Sequence, residues 1–345
     1  MSVGPPPRAA VVGLAGTELD PAERELLLAL PPAGIILFQR NCADRSQLRR
    51  LTDELRALEP ARRLPILIDQ EGGRVMRLRP PEWRALPSAR DIGDLAALDR
   101  QAGWDAARLL GRLIAHDLRE VGIDIDCAPV LDVATPAMTE AIGSRSFSAR
   151  PELVAELASA FAQGLLAGGV APVIKHLPGH GRAVVDSHLE LPIVAASAAE
   201  LAGGDFAPVR ALAHLPFAMT AHVVYPALDP GGPATTSWRV ITDIIRGDLG
   251  VQAVLLSDDL AMSALSGTPA DRAAAALAAG CELALYCPGR LDDSRAVLQG
   301  VPCLAPSLLA RLDGVLGALR RSEIEPFSPE PAAARLAELL SGSVA

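Results

Sequence analysis

Aromatic residues make up only 3% of this 345-residue chain, which excludes a core built on large rings. The 50% hydrophobic content must come from Ala, Leu, Val and Ile, residues that suit helices and buried parallel strands. Cysteine is scarce too, with five thiols at 42, 127, 281, 287 and 303, odd in number and without Cys-x-x-Cys spacing. Neither a disulfide framework nor a thiolate metal cluster organises such a chain, and a reducing compartment, the cytoplasm, is the expectation. Surplus positive charge is also missing. The formal net charge of -9 argues against nucleic acid or an acidic membrane as the main partner. Met1–Arg8 holds three prolines and no basic start leading into an apolar run, so no signal peptide or membrane span is expected there.

What the chain does have is a regular alternation. Short apolar, β-branched runs recur at 10–14, 34–38, 65–69, within 123–133, and at 172–176, 217–223, 253–258 and 283–287. Between them lie stretches with helical Leu and Ala spacing, at 44–58, 98–121, 151–167, 197–212, 241–249, 269–279 and 306–319, with a closing helix at 332–340. The runs are continuously apolar rather than alternating, as for strands covered on both faces. Eight βα units of about 43 residues each predict a single-domain (β/α)8 TIM-type barrel over residues 1–345, with a doubly wound open sheet as the rival.

The chemistry concentrates in one place. Lys175-His-Leu-Pro-Gly-His-Gly181 and Asp186-Ser-His188 put three of the chain's six histidines, a lysine and an aspartate into fourteen residues after an apolar run. Charged and imidazole groups are costly to bury unpaired, and the glycines between them point to a loop shaped for close approach. Other runs also end in polar residues: Asp69, Asp132, His222 and the pair Asp258-Asp259. Each alone fits a helix cap or a satisfied core group equally well. In a parallel barrel, however, all such ends surround one mouth.

Three segments carry a specific resemblance: Ile68-Asp-Gln-Glu-Gly-Gly-Arg-Val75, the Lys175–Gly181 and Asp186–His188 pair, and Ser257-Asp-Asp-Leu-Ala-Met262. They resemble glycoside hydrolase family 3, and within it the single-domain bacterial β-N-acetylglucosaminidases of peptidoglycan recycling. The likeness continues through Gly34–Phe38, Ile125–Asp132 and Met219–Asp229, in family order and over nearly the whole chain. It implies Asp258 as nucleophile, the Asp186/His188 pair as general acid/base, and Asp69, Arg77, Arg145, Lys175 and His176 as sugar contacts. It further implies retaining hydrolysis of terminal β-linked N-acetylglucosamine from muropeptides, without cofactor or metal, by a monomer or weak homo-oligomer. The residue types tolerate these roles: a retaining glycosidase needs an ionised carboxylate under the anomeric carbon and a proton donor at the leaving oxygen. An imidazole oriented by a carboxylate two residues away can serve as that donor.

Around these, Glu71 reads as a supporting group, Arg74 as a surface residue, Asp259 as the cap of a following helix, His180 as a brace for its glycine turn and His222 as pocket floor. Two positions depart from the family pattern. Leu177 stands where an aromatic is usual, and Ser144 precedes Arg145 where an acidic residue is common, which removes the usual orienting partner of Arg145. Competing readings are a metalloenzyme collecting His176, His180, Asp186, His188 and His222, a family 3 phosphorylase, a β-glycosidase of other sugar specificity, and a non-catalytic sugar-binding barrel. A two-domain β-glucosidase is disfavoured, because no stretch after the eighth unit remains to build its second domain.

Overall fold

The computed structural model describes residues 5–59, 62–324 and 326–342; the first four residues of the proline-bearing start lie outside them. Its strands are β1 (Arg8–Gly13), β2 (Pro32–Leu37), β3 (Ile66–Ile68), β4 (Ile125–Asp126), β5 (Ala171–Leu177), β6 (Phe217–Thr220), β7 (Val254–Leu256) and β8 (Ala284–Tyr286). All pair in parallel, each sequential neighbour beside the last, and β1 pairs with β8. A parallel bridge between Leu256 and Leu283, with Ser257 N–H donating to the Leu283 carbonyl, closes the ring between β7 and β8. The architecture is the expected (β/α)8 barrel; the open-sheet alternative fails because its two edge strands meet.

Strand alternation sorts the core into two shells. Val11, Ile36, Leu67, Val173, Phe217 and Val254 point inward and pack together inside the barrel. Their neighbours Val12, Ile35, Ile66, Ile174, Ala218 and Leu255 point outward, against the helices. Continuing the inward parity past the last apolar residue gives Phe38, Asp69, Lys175, Met219, Asp258 and Cys287. All six line one pocket at the strands' C-terminal ends.

The helices are α1 (Pro21–Ala29), α2 (Arg45–Leu58), α3 (Ala89–Leu98), α4 (Arg100–Glu120), α5 (Pro151–Ala167), α6 (Ala198–Gly203), α7 (Phe206–Leu212), α8 (Pro269–Ala279), α9 (Leu291–Gly300), α10 (Pro306–Arg321) and α11 (Pro329–Ser341). The expected helix at 197–212 is broken at Gly204, where α6 ends, and 240–248 winds as a π-helix. Helices α1, α3 and α9 were not anticipated. Each is ten residues or fewer, and α3 and α9 are rich in aspartate and arginine that mute the apolar pattern. The C-terminal α11 lies on α4 and α3, with Leu336 buried there. Among the described residues no helix is long and apolar enough to cross a membrane.

The opposite end of the barrel is stoppered by α10. Its Leu308, Leu312 and Leu316, one helical stripe, join the inner apolar cluster, and Leu312 sits beside Ala33, Pro65 and Phe217 where strands begin. Leu312→Ala removes a buried side chain from a site the surrounding strands cannot collapse around. It is expected to lower unfolding free energy by about 2–5 kcal/mol in urea titrations, and a loss below about 1 kcal/mol would contradict the stopper role.

Candidate active site

The pocket at the C-terminal face has a volume of about 300 Å³, and its walls include all eight residues expected to act on a sugar: Asp69, Arg77, Arg145, Lys175, His176, Asp186, His188 and Asp258. Strand tips supply Asp69, Lys175, His176 and Asp258. The loop after β3 supplies Arg77, the loop after β4 Arg145, and the loop after β5 the Asp186/His188 pair. In β5 the register shifts between Ile174 and Leu177, and the consecutive side chains of Lys175 and His176 both reach the pocket. Leu177 turns away into the outer core, so an aromatic is not needed to wall the site.

The floor is a chain of alternating charges. Lys175 Nζ, 2% exposed as a residue, lies 2.8 Å from Asp69 Oδ1 and 2.7 Å from Glu71 Oε1. Arg77 Nη2 donates to the other oxygen of Asp69 at 3.0 Å, and Arg145 grips Glu71 through Nε and Nη2, both at 2.8 Å. Burial alone would raise both carboxyl pKa values. The charges of Lys175 and Arg77 hold Asp69 far below the usual range, and those of Arg145 and Lys175 hold Glu71 at about 2. Burial would likewise discharge Lys175, but its two carboxylates reverse the direction and raise its pKa. Three cations thus hold two carboxylates ionised. Glu71 is thus the partner that orients the Arg145 side chain, a place Ser144 does not fill.

The network continues through imidazoles. His176 Nδ1 lies 2.7 Å from Asp132 Oδ2, while its Nε2 lies 3.4 Å from Arg145 Nη2. An arginine can only donate, so Nε2 accepts and Nδ1 carries the proton toward Asp132. Asp132 also accepts from the His180 backbone N–H at 2.7 Å, and despite complete burial its pKa is drawn down to about 2, chiefly by His176. Gly181 passes so close to the Val133 carbonyl that a Cβ there would stand 1.9 Å from its oxygen, and Gly179 has φ +149°. Those two glycines allow the tight return that the sequence pattern implied.

Asp258 is 9% exposed and takes a hydrogen bond from the Asp259 N–H at 2.8 Å. Burial pushes its pKa up, but His176, His222 and Lys175 outweigh that and hold it below the ordinary value. His188, with its side chain 61% exposed, places Nδ1 2.8 Å from Asp186 Oδ1, and its own backbone N–H donates to the same oxygen at 2.9 Å. Asp186 is held below its ordinary pKa by those hydrogen bonds against partial desolvation. Among the described residues, no hydrogen bond occupies the His188 Nε2.

Four expectations need correction or addition. Arg74 is exposed, as expected of a surface residue, and in addition it lines the pocket and donates to the Glu140 and Ala141 carbonyls of the loop that carries Arg145. His222 does not reach the pocket; fully buried, it lies beneath, with Nδ1 2.8 Å from Thr235 Oγ1 and Nε2 3.0 Å from the Asp259 carbonyl. Asp259 caps a turn and not a helix, accepting from Ala261 N and Cys287 N, since α8 starts only at Pro269 under Thr268. Gln70, assigned no role from the sequence, clamps the Arg77–Leu78 backbone through three hydrogen bonds of 2.8–3.1 Å. Its place between Asp69 and Glu71 was the only signal available. Among the described residues, the five groups of the metalloenzyme reading contain no three whose ligand atoms lie within 4.8 Å of one another. The one trio that does, His116, Asp117 and Glu120 on α4, has Asp117 gripped by Arg84 at 3.0 and 3.1 Å.

This geometry has close parallels among known proteins. The model for the glycosyl hydrolase family 3 N-terminal domain matches residues 11–308, from β1 into α10. A beta-hexosaminidase of Stenotrophomonas maltophilia is 40% identical over 314 residues, 89% of this chain and 92% of that protein. One from Alkalilimnicola ehrlichii is 43% identical, covering 85% and 84% of the two chains. Among solved structures, native NagZ from Neisseria gonorrhoeae superposes with a TM-score of 0.87 at 35% identity, covering 98% of this chain and 99% of that one. The same protein in complex with N-trifluoroacetyl-D-glucosamine gives 0.86, also at 35% identity, over 98% and 100%. Matched from its first strand to the stopper helix, and aligned with such relatives over most of both chains, this protein belongs to glycosyl hydrolase family 3.

Proposed function

We propose that this family 3 enzyme is a retaining β-N-acetylhexosaminidase that removes terminal, non-reducing β-linked N-acetylglucosamine from muropeptide fragments during cytoplasmic cell-wall recycling. The observation that carries this reading is the convergence of Asp258, the Asp186/His188 pair and the Asp69–Arg145 charge chain on one pocket. The beta-hexosaminidase relatives and the N-acetylglucosamine-like ligand of the Neisseria protein support the sugar class.

In this mechanism Asp258, kept ionised, attacks the anomeric carbon while the glycosidic C–O bond breaks. The departing oxygen takes its proton from His188 Nε2, with Nδ1 held on Asp186. Water then gives a proton back to Nε2 and displaces Asp258 from the anomeric carbon, so configuration is retained over two inversions. Asp69 has two of about four lone-pair sites engaged by Lys175 and Arg77, which leaves acceptor capacity for sugar hydroxyls. Lys175, His176, Arg77 and Arg145 surround the remaining oxygens. A site built this way discriminates against sugars lacking a hydroxyl, because the lost partner leaves buried charge unmatched.

Asp258→Ala is expected to cut hydrolysis of 4-nitrophenyl β-N-acetylglucosaminide by roughly 10⁴-fold or more. A 2-fluoro sugar that traps the intermediate should label Asp258 in peptide mass spectra; labelling elsewhere refutes the assignment. His188→Ala is expected to cost about 10²-fold or more in kcat/KM on substrates with alkyl leaving groups and far less on nitrophenyl ones, which depart without a proton. Equal losses on both would remove His188 as the acid. Turnover should be insensitive to chelator and to inorganic phosphate, and a sugar 1-phosphate product would identify a phosphorylase instead.

A further inference from the structure

The acid/base pair sits on a loop that the fold holds by very little. Asp186 and His188 are bonded to each other, side chain to side chain and side chain to backbone, and the Asp186 carbonyl accepts only from Leu189 and Glu190 within the same loop. Val184, Leu189 and Leu191 are exposed. Among the described residues, Ser187 alone in residues 184–191 hydrogen-bonds outside that stretch. It is 3% exposed between two far more open neighbours, and it makes two such bonds. Its hydroxyl lies 3.3 Å from Nε2 of His180, a buried imidazole whose backbone is fixed on Asp132. Its carbonyl accepts from the Ala264 N–H at 3.3 Å, in the loop that follows Asp258. His180 is well suited as an anchor: burial lowers its pKa to about 4, so the ring stays neutral near pH 7 and does not compete as a proton donor.

We infer that Ser187 is a positioning residue, the pin that holds the Asp186/His188 pair in register with Asp258 by joining the His180 ring to the loop after β7. The inference rests on the proposed acid role of His188. A dyad bonded only to itself moves as a unit, so where its Nε2 points is set by whatever fixes the residue between its members. Two ordinary hydrogen bonds, one side-chain and one backbone, are enough to select a loop position while leaving it free to open for substrate exchange. Losing the hydroxyl removes one of the two and widens the range over which the proton donor wanders.

The consequence is confined to the step that needs the proton. The test compares kcat/KM, which reports the first bond-breaking step, on 4-nitrophenyl β-N-acetylglucosaminide and on a β-1,4-linked N-acetylglucosamine disaccharide whose leaving group is a sugar hydroxyl. Ser187→Ala is expected to lose roughly tenfold or more on the disaccharide, less than deleting the acid itself, and to change less than about threefold on the aryl substrate. Ser187→Thr keeps the hydroxyl and is expected to retain most of the disaccharide activity. The ratio of the two rates does not depend on the folded fraction, so an unstable variant still reports. Equal losses on both substrates, no loss on either, or a Thr variant as impaired as Ala on the disaccharide would each overturn the pin. His188→Ala runs in parallel: if it discriminates between the substrates while Ser187→Ala does not, only the pin fails. If neither discriminates, the acid role itself falls.

Discussion

Lys175 is the constraint on which the site depends. A lysine ammonium 2% exposed at the centre of a barrel costs several kcal/mol to desolvate alone, and so do the carboxylates beside it. The three groups tolerate burial only together, Lys175 between Asp69 and Glu71, with Arg77 and Arg145 closing the two ends. That arrangement keeps both acids ionised at any physiological pH and leaves one more positive charge than negative along the floor. It also reaches beyond itself. Arg145 fixes the tautomer of His176, His176 holds Asp132, and Asp132 holds the His180 backbone from which the loop carrying Asp186 and His188 departs. Lys175 and His176 add their charge or dipole to the field on Asp258, so one buried cation ties the pocket floor, Asp258 and the anchor of the Asp186/His188 loop into a continuous polar layer.

Much of this was legible before any coordinates, for a geometric reason. A parallel strand buried on both faces has to be apolar until it leaves the core, so a polar side chain at its end marks the surface where the barrel opens. Asp69, Lys175 and Asp258 follow the inward apolar positions Leu67, Val173 and Leu256 at a spacing of two, and the parity that packs the core aims them at the pocket. His222 is the exception: it lies beyond the last residue of β6 and is fully buried beneath the pocket. There strand alternation no longer sorts the faces, since Ala221 and Val223, of Met219's parity, sit in the outer core, and the imidazole settles against Thr235.

What stayed illegible depends on contacts between distant loops. Nothing local to Arg145 predicts Glu71, 74 positions earlier, as its partner, so a missing acidic neighbour at Ser144 looked like a weakness when the function of that neighbour is met across the pocket. Arg74 is in the same position, since its partners are carbonyls of the loop after β4. Composition and periodicity describe each segment's own preferences, and these features belong to pairs of segments.

The two groups proposed to react, Asp258 and His188, live in opposite surroundings, and the proposed chemistry asks for that difference. Asp258 is enclosed, held near a strand tip by the Asp259 N–H, and kept below its ordinary pKa against burial by His176, His222 and Lys175, so it is ionised and oriented before a sugar arrives. Tight enclosure suits a nucleophile, because any swing away from the anomeric carbon is lost rate. A proton carrier has two successive partners, a departing hydroxyl and then an incoming water, and the second must enter where the first has left. His188 stands with more than half its side chain in solvent, on a loop free to let one exchange for the other. A carboxylic acid in that exposed place would ordinarily be ionised near neutral pH and have no proton to give. An imidazole has one nitrogen to bond its partner and another to give and take back a proton. The strand tip and the open loop therefore call for different residues, and the chain supplies a carboxylate to the first and a histidine to the second.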